Sequence, residues 1–263
     1  MPQDTINAYV TILDGDNGIL PFFVRYYRRL GATHFPVIIY DQPDRIAEAH
    51  DDARQIIQAE GGEYVNAGGM NEVDFAARKR DLFIHDWHQA HAKNQWAFFA
   101  DLDEFPQIRP EEIDWWVREK KPPFFVYGSW LDRVAEEGKL VDVVGDRPLE
   151  EQYPMKTRIK LRKFINMGGL AYVFCRFPPY HHHPTVCEWG KVRMGRGKQC
   201  RVHHFKWQGN ALTRLRKRLT RISRSGKKGS EWFRRVRRTV RHLQRHNGVK
   251  KGLLVYIGNV LGI

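Results

Sequence analysis

The first 106 residues alternate between strand-like and helix-like patterns, and this alternation constrains the fold more than any other feature. Short apolar runs such as HFPVIIYD (34–41) and QWAFFA (95–100) are separated by longer stretches with helical spacing, such as 71–94. We expect Gly31 to end the first helix and Asn71 to cap the third. Strands that alternate with helices in this way predict an α/β fold, with a mostly parallel mixed sheet flanked by helices.

The chain after Pro106 follows a different plan. PFFVYGSWLDRV and LRKFINMGGLAYVF predict antiparallel strands, and residues 203–246 predict arginine-rich helices. Residues 206–263 carry 17 Lys and Arg but one acid, a net charge of +16, whereas residues 1–205 carry about −2. We therefore predict a catalytic domain at 1–205 and a basic helical extension at 206–263.

The composition narrows the class of protein. At 42% hydrophobic and 13% aromatic residues the chain can build a core, which disordered chains cannot. Three widely spaced cysteines do not make a disulfide framework and fit a reducing compartment. The N-terminus lacks the pattern of a signal peptide, and no run approaches the ~20 apolar residues of a membrane span. These features predict a cytoplasmic protein, with contact to the inner face of the membrane left open.

The segment NQWAFFADLDEFP ends a buried strand with three carboxylates, Asp101, Asp103 and Glu104. Taken as an extended strand, it places Asp101 and Asp103 on one face. Two carboxylates so close repel each other unless a proton or a cation intervenes. A hard divalent cation, Mg²⁺ or Mn²⁺, resolves that conflict; a solvated acidic loop is the alternative. Asp41 also follows a strand, so we expect it at the same edge of the sheet.

Several stretches resemble bacterial glycosyltransferase family 2-like proteins of the GT-A fold. WAFFADLDEF resembles their metal-binding D-x-D in the form D-[LI]-D-E-F, and ILPFFVRYYRRLGATHFPVIIYDQ is similar to their first helix and second strand. WLDRVAEEGKL, PLEEQYP and VHHFKW also resemble that group, and together these stretches span about residues 6–220. The resemblance implies a Rossmann-like sheet and a metal-dependent enzyme. Such an enzyme moves a sugar from a nucleotide-sugar, with a UDP-sugar favoured, to a glycan or lipid-linked acceptor.

The resemblance also implies roles for individual residues. Asp101 and Asp103 would hold Mn²⁺ or Mg²⁺ against the donor diphosphate, and Asp41 would lie near the base or ribose. Gln42 stands where the family often has Asn, a mild departure.

The histidines divide into one implied ligand and one implied neighbour of the site. His204 would be a later metal ligand, with His203 left open as the alternative. His182 is the nearest match to a histidine segment close to the family's donor site. The run 181–183 is not itself a metal site, because adjacent strand residues point to opposite sides.

An inverting transferase needs a general base beside the acceptor hydroxyl. We predict Asp132, which Arg133 would keep ionised; a surface ion pair is the alternative for Asp132. Glu104 is a second candidate, although its place beside the D-x-D favours a structural or acceptor-orienting role. We favour inversion because the sequence offers no dedicated nucleophile. Arg78 and Arg80, on the helix before the D-x-D strand, are candidates to contact a donor phosphate, unless they are simply solvated.

The basic extension leaves three interpretations open. A basic amphipathic helix can lie on an anionic membrane surface. Nucleic-acid binding uses the same side chains, although we find no base-reading motif in the sequence. A solvated helical face is the third. Two rival functions follow: another metal-dependent nucleotide enzyme such as a nucleotidyltransferase, or a basic nucleic-acid-binding protein with an incidental D-x-D.

Overall fold

The structure is a computed structural model that forms two compact units. The described residues are 5–13, 17–71, 77–92, 95–119, 125–145, 147–157, 170–175, 198–224, 226, 229–250, 254–258 and 260–262. The first unit comprises Met1–Trp130 with Arg162–His203, and the second comprises Leu131–Leu161 with His204–Ile263. This division differs from the predicted one, because residues 131–161 belong with the basic C-terminal segment.

Strands and helices follow one another in the predicted alternation through the first part of the chain. The elements are β1 (Ile6–Leu13), α1 (Leu20–Arg29), β2 (His34–Asp41), α2 (Ile46–Ala59), β3 (Glu63–Asn71), α3 (Ala77–His91), β4 (Trp96–Phe99), β5 (Glu104–Pro106), α4 (Pro110–Glu119), β6 (Phe125–Val134), α5 (Leu149–Gln152), β7 (Met155–Thr157), β8 (Leu170–Cys175), β9 (Lys198–His204), α6 (Ala211–Arg224), α7 (Glu231–His246) and β10 (Leu254–Tyr256).

The sheet of the first unit is parallel at its centre. β3, β2, β1 and β4 lie side by side and parallel, and β8 and then β6 extend the sheet antiparallel. β1 is a central strand of this sheet, with β2 on one side and β4 on the other. Its residues Ala8, Val10 and Ile12 are fully buried. The predicted α/β fold with a mostly parallel sheet and flanking helices is confirmed.

Of the two predicted helix ends, the structure confirms the one at Gly31 and contradicts the one at Asn71. Gly31 lies two residues after the end of α1, directly after the C-cap Leu30. Its φ of +94° is a conformation that favours glycine, which confirms the prediction. The prediction for Asn71 was wrong: Asn71 is the last residue of β3 and pairs in register with Asp41, while α3 begins at Ala77. Strand pairing with β2 therefore extends further than the helix-capping pattern suggested.

The second unit combines a small antiparallel sheet with the two basic helices. β7 lies between the end of β6 and β10. Its core contains Val134, Trp207, Ala211, Leu243 and Val249. α6 and α7 form as predicted for the basic extension. None of the described helices combines the length and apolar character needed to cross a bilayer.

Candidate active site

The carboxylate segment after β4 is a closed turn. The Glu104 amide donates to the Asp101 carbonyl at 2.9 Å, and the Asp101 amide donates to Glu104 Oε2 at 3.1 Å. Leu102 and Asp103 are the central residues of this turn. The extended-strand argument for Asp101 and Asp103 was therefore wrong, because β4 ends at Phe99. The turn, rather than the period of a strand, sets the positions of both carboxylates.

Helix α1 supports the turn from inside the first unit. The Tyr27 hydroxyl donates to the Glu104 carbonyl at 2.9 Å, and the Tyr26 hydroxyl donates to the Pro106 carbonyl. Phe105 is fully buried and meets the rings of Phe23 and Tyr26 edge-on. These contacts fix the backbone on the C-terminal side of the two aspartates.

Arg80 holds the first aspartate of the turn. Its Nη1 donates to Asp101 Oδ1 at 2.5 Å, and the arginine side chain is 6% exposed whereas that of Asp101 is 34% exposed. We predicted that Arg80 contacts a donor phosphate. In the structure its partner is the carboxylate of Asp101. Arg78 lies in α3, and its side chain is outside the described part of the chain.

Glu104 is an internal support of the turn. Its side chain is buried, with the residue 1% exposed, and Oε2 accepts from the Asp101 amide. This burial and the bond to the Asp101 amide agree with a structural role for Glu104, and its role as an alternative general base stays a prediction. The place of Glu104 beside the D-x-D favoured a structural role, but its burial is not evident from an acidic run.

Asp41 ends β2 at the same edge of the parallel sheet, two strands away from β4. The residue is 2% exposed, and its Oδ1 accepts from the Gln42 amide at 2.7 Å. Oδ2 is buried and has no hydrogen-bond partner among the described residues. Parallel strands end at one edge, so the expectation that Asp41 and Asp101 share it agrees with the sheet order. The role of Asp41 at a nucleoside stays a prediction.

Asp132, in the second unit, lies between two partners, the ring of His204 and the ammonium group of Lys206. His204 Nδ1 is 3.0 Å from Asp132 Oδ1, and Lys206 Nζ is 2.7 Å from Oδ2. Burial favours a higher pKa for Asp132, but Lys206 and the hydrogen bond from His204 outweigh it, so the pKa lies well below its ordinary range. An ionised carboxylate can only accept, so Nδ1 of His204 carries the hydrogen.

We predicted that Arg133 pairs with Asp132, but in the structure it pairs with Glu150. It points into the second unit, where Nη1 lies 3.7 Å from Glu150 Oε1 and both side chains are fully buried. Adjacent strand residues point to opposite faces, which places Asp132 and Arg133 in different surroundings. Lys206 therefore supplies the positive charge expected of Arg133, and His204 adds a hydrogen bond.

The predicted metal residues divide between the two units. Asp101 and Asp103 belong to the first and His204 to the second, and a shared ion stays a prediction. No three His, Cys, Asp or Glu side chains within the described ranges form a metal-binding group. The carboxylate oxygens of the turn suit a hard cation in their chemistry, and His182 lies outside the described residues.

Sequence comparisons leave the family undecided, and structural ones are weak. No protein-family model matches the chain, and no curated protein matches it. A crystal structure described as that of a mycobacterial protein has 16% identity and a TM-score of 0.37, over 76% of this chain. This chain spans 65% of that protein, less than two thirds of its length.

Two further similar structures are of glucosyl-3-phosphoglycerate synthase from M. tuberculosis. The first has 14% identity and a TM-score of 0.39, over 77% of this chain and 72% of that one. The second, with phosphoglyceric acid bound, has 15% identity and a TM-score of 0.41, over 85% and 80%. At these values we draw neither fold nor function from the likeness.

Proposed function

We propose that this chain is a metal-dependent glycosyltransferase that moves a sugar from a nucleotide-sugar, a UDP-sugar by preference, to a glycan or lipid-linked acceptor. The observation that carries the proposal is the closed turn Asp101–Glu104. It fixes two carboxylates just beyond β4, at the edge where the parallel strands end. Ligands of open α/β sheets bind outside this edge. The resemblance of WAFFADLDEF to the glycosyltransferase D-x-D is the reason for assigning sugar transfer to this edge.

Asp101 and Asp103 would hold Mg²⁺ or Mn²⁺ through their carboxylate oxygens. The ion, when bound, supplies the positive charge that stabilises a departing diphosphate. Arg80 fits this assignment as outer support, because carboxylates that bind metals are themselves held by hydrogen bonds. By holding Oδ1, Arg80 orients Asp101 before any ligand arrives.

The donor nucleoside would lie towards the end of β2. Asp41 is held through Oδ1, and its buried Oδ2 has no hydrogen-bond partner among the described residues. A ribose hydroxyl that reached Oδ2 would supply one. Arg78 and His182 stay predicted donor-binding residues on sequence grounds alone.

In the second unit, Asp132 has the geometry of an orienting residue. The hydrogen bond from Nδ1 of His204 leaves Nε2 as the basic nitrogen of the ring. Histidine ligands of metals are commonly held in this way by a carboxylate, which suits the predicted role of His204. A general base works best with a pKa near the working pH. The pKa of Asp132 lies well below its ordinary range, which favours the orienting role, and its role as general base stays a prediction.

The test is release of nucleoside diphosphate from a panel of nucleotide-sugars, with Mn²⁺ and with EDTA. The variant is Asp103→Ala and the matched control is Asp86→Ala, an exposed aspartate on α3 in the same unit. We expect slow hydrolysis that needs the metal, is lost in Asp103→Ala and persists in Asp86→Ala.

Other outcomes would redirect the assignment. Release of sugar 1-phosphate with nucleoside monophosphate, which requires attack at the α-phosphate, would indicate a nucleotidyltransferase. Equal activity in Asp103→Ala and the wild type would remove the turn from the chemistry. No release from any donor, together with no thermal shift by metal and donor, would overturn the proposal.

A further inference from the structure

Helix α7 carries a straight row of arginines on one side. We call Arg234, Arg237, Arg238, Arg241 and Arg245 the α7 arginine face; all five are exposed. At 100° per residue they fall within an arc of about 100°, and they extend over roughly 16 Å of the helix. The charge is therefore concentrated along one line rather than spread around the helix.

The opposite side of α7 is fixed in the core of the second unit. Val236, Val240 and Leu243 are 5%, 7% and 2% exposed, and Leu243 packs with Trp207 and Val249. Because this apolar side is buried, the helix cannot turn the arginines inward. The α7 arginine face is a permanent part of the surface.

No acid of the described residues forms an ion pair with this face. None of the five arginines has an ion pair among the described residues, and Glu231 is the one acid of residues 206–263. Like charges four residues apart, such as Arg234 with Arg238 and Arg237 with Arg241, destabilise a helix. Arg234 also stands near the helix N-terminus, where a positive charge is unfavourable. The needs of the fold do not explain this arrangement, whereas an external anion does.

The guanidinium groups of the face leave open space between them. Arg234, Arg237, Arg238 and Arg241 line an open cavity of about 420 Å³. Guanidinium groups bind phosphate oxygens in pairs of parallel hydrogen bonds. A surface of closely spaced phosphates would satisfy several of these arginines at once.

We propose that the α7 arginine face docks on the surface of an anionic lipid bilayer. A bilayer presents a plane of headgroups that a straight row of side chains can meet along its full length. A nucleic-acid duplex is read by an element that enters a groove about 12 Å wide. α7 is packed along its length on the core of its unit, which favours a flat partner. This inference does not depend on the proposed activity.

The test is cosedimentation of the full chain with vesicles of phosphatidylcholine, with and without about 25% phosphatidylserine, at about 0.1 M salt. The variant Arg234→Gln/Arg238→Gln/Arg241→Gln should partition onto the anionic vesicles about 100-fold more weakly. The control Arg54→Gln/Arg109→Gln/Arg118→Gln removes the same charge from exposed positions of the first unit and should bind as the wild type does. Arg234→Lys/Arg238→Lys/Arg241→Lys keeps the charge and should retain binding.

Four results would overturn the proposal. These are equal binding to neutral and anionic vesicles, an equal loss in the control variant, tighter binding to a 30-base-pair duplex at the same salt, and release from vesicles by millimolar inorganic phosphate. The duplex result would assign the face to nucleic acid. The phosphate result would assign it to a small soluble anion.

Discussion

Arg80 and Asp101 form an ion pair in which the cation is buried and the carboxylate is one-third exposed, with Nη1 and Oδ1 2.5 Å apart. The pair joins α3 to the turn that follows β4, so the first carboxylate of the turn is positioned by another element. A substitution at Asp101 therefore leaves a buried guanidinium without its partner in the turn. Asp103→Ala is the cleaner test of chemistry, and Asp101→Asn tests support as well.

Arg80→Gln should lower the free energy of unfolding by about 1–2 kcal/mol, less than for a fully buried pair because Asp101 is partly screened. Urea denaturation measures the loss. Arg54→Gln is the control, because the Arg54–Asp51 pair is exposed and should contribute less than about 0.5 kcal/mol. Equal losses in the two variants would show that the Arg80–Asp101 pair contributes no more to stability than an exposed ion pair does.

Asp132→Asn should destabilise the protein at neutral pH by roughly 2–3 kcal/mol, since it removes the ionised partner of Lys206 and His204. The pKa of Asp132 is lower in the folded protein than in the unfolded chain. Its contribution is therefore complete above about pH 4 and declines as the pH falls further. Urea denaturation of wild type and variant at pH 7 and near pH 3 tests this, and a difference that does not shrink in acid would contradict it.

Glu150→Gln should be strongly destabilising, by about 3–5 kcal/mol, because it removes one charge of a fully buried pair. The Glu150 carboxylate also accepts from the amides of Val260, Leu261 and Gly262. Hydrogen exchange of these three amides should accelerate in the variant. Glu151→Gln, at an exposed neighbour on α5, should stay within about 0.5 kcal/mol of the wild type. Unchanged protection of the three amides in Glu150→Gln would contradict their bonding to the Glu150 carboxylate.

His88 should make the first unit sensitive to mild acid. Burial, and after it the charge of His85, lowers the pKa of His88 to about 4, and Nδ1 lies 2.6 Å from the Tyr9 hydroxyl. The unfolded chain takes up this proton below about pH 6.5 and the folded chain does not. His88 therefore costs stability as the pH falls from about 6.5 to 4.

The size of this effect is roughly 2 kcal/mol at pH 5. Free energies of unfolding of the wild type and His88→Phe at pH 7 and pH 5 measure it by difference, which cancels the other histidines. The wild type should lose more stability than the variant. An NMR titration in which the His88 ring is charged at pH 5.5 would contradict the assignment.

Local patterns predicted the central sheet well, and long-range contacts were beyond them. β2 and β4 were evident because buried parallel strands are continuous apolar runs. Arg80 and Asp101 are 21 residues apart and His204 and Asp132 are 72 apart, and such pairs depend on the fold being known. The Arg133 prediction relied on adjacency in sequence, which on a strand means opposite faces.

The turn after β4 shows the same limit at short range. We extended the strand predicted by WAFFA through the carboxylates that follow it, whereas the backbone turns at Leu102 and Asp103. The reciprocal hydrogen bonds of Asp101 and Glu104 decide that geometry. The sequence carries one sign of this turn, a carboxylate three residues after another. We interpreted these carboxylates as part of a metal site instead.

The buried pair of Arg133 and Glu150, with the C-terminal amides that donate to Glu150, has a consequence for synthesis on the ribosome. Arg133 and Glu150 emerge early, but the amides that complete the shell of Glu150 and the Gly258 carbonyl that accepts from Arg133 emerge more than a hundred residues later. Until then two charges that will be fully buried remain in water. The first unit can gather its central strands from residues 6 to 99 during elongation, whereas the second can close only after residue 262 has left the exit tunnel.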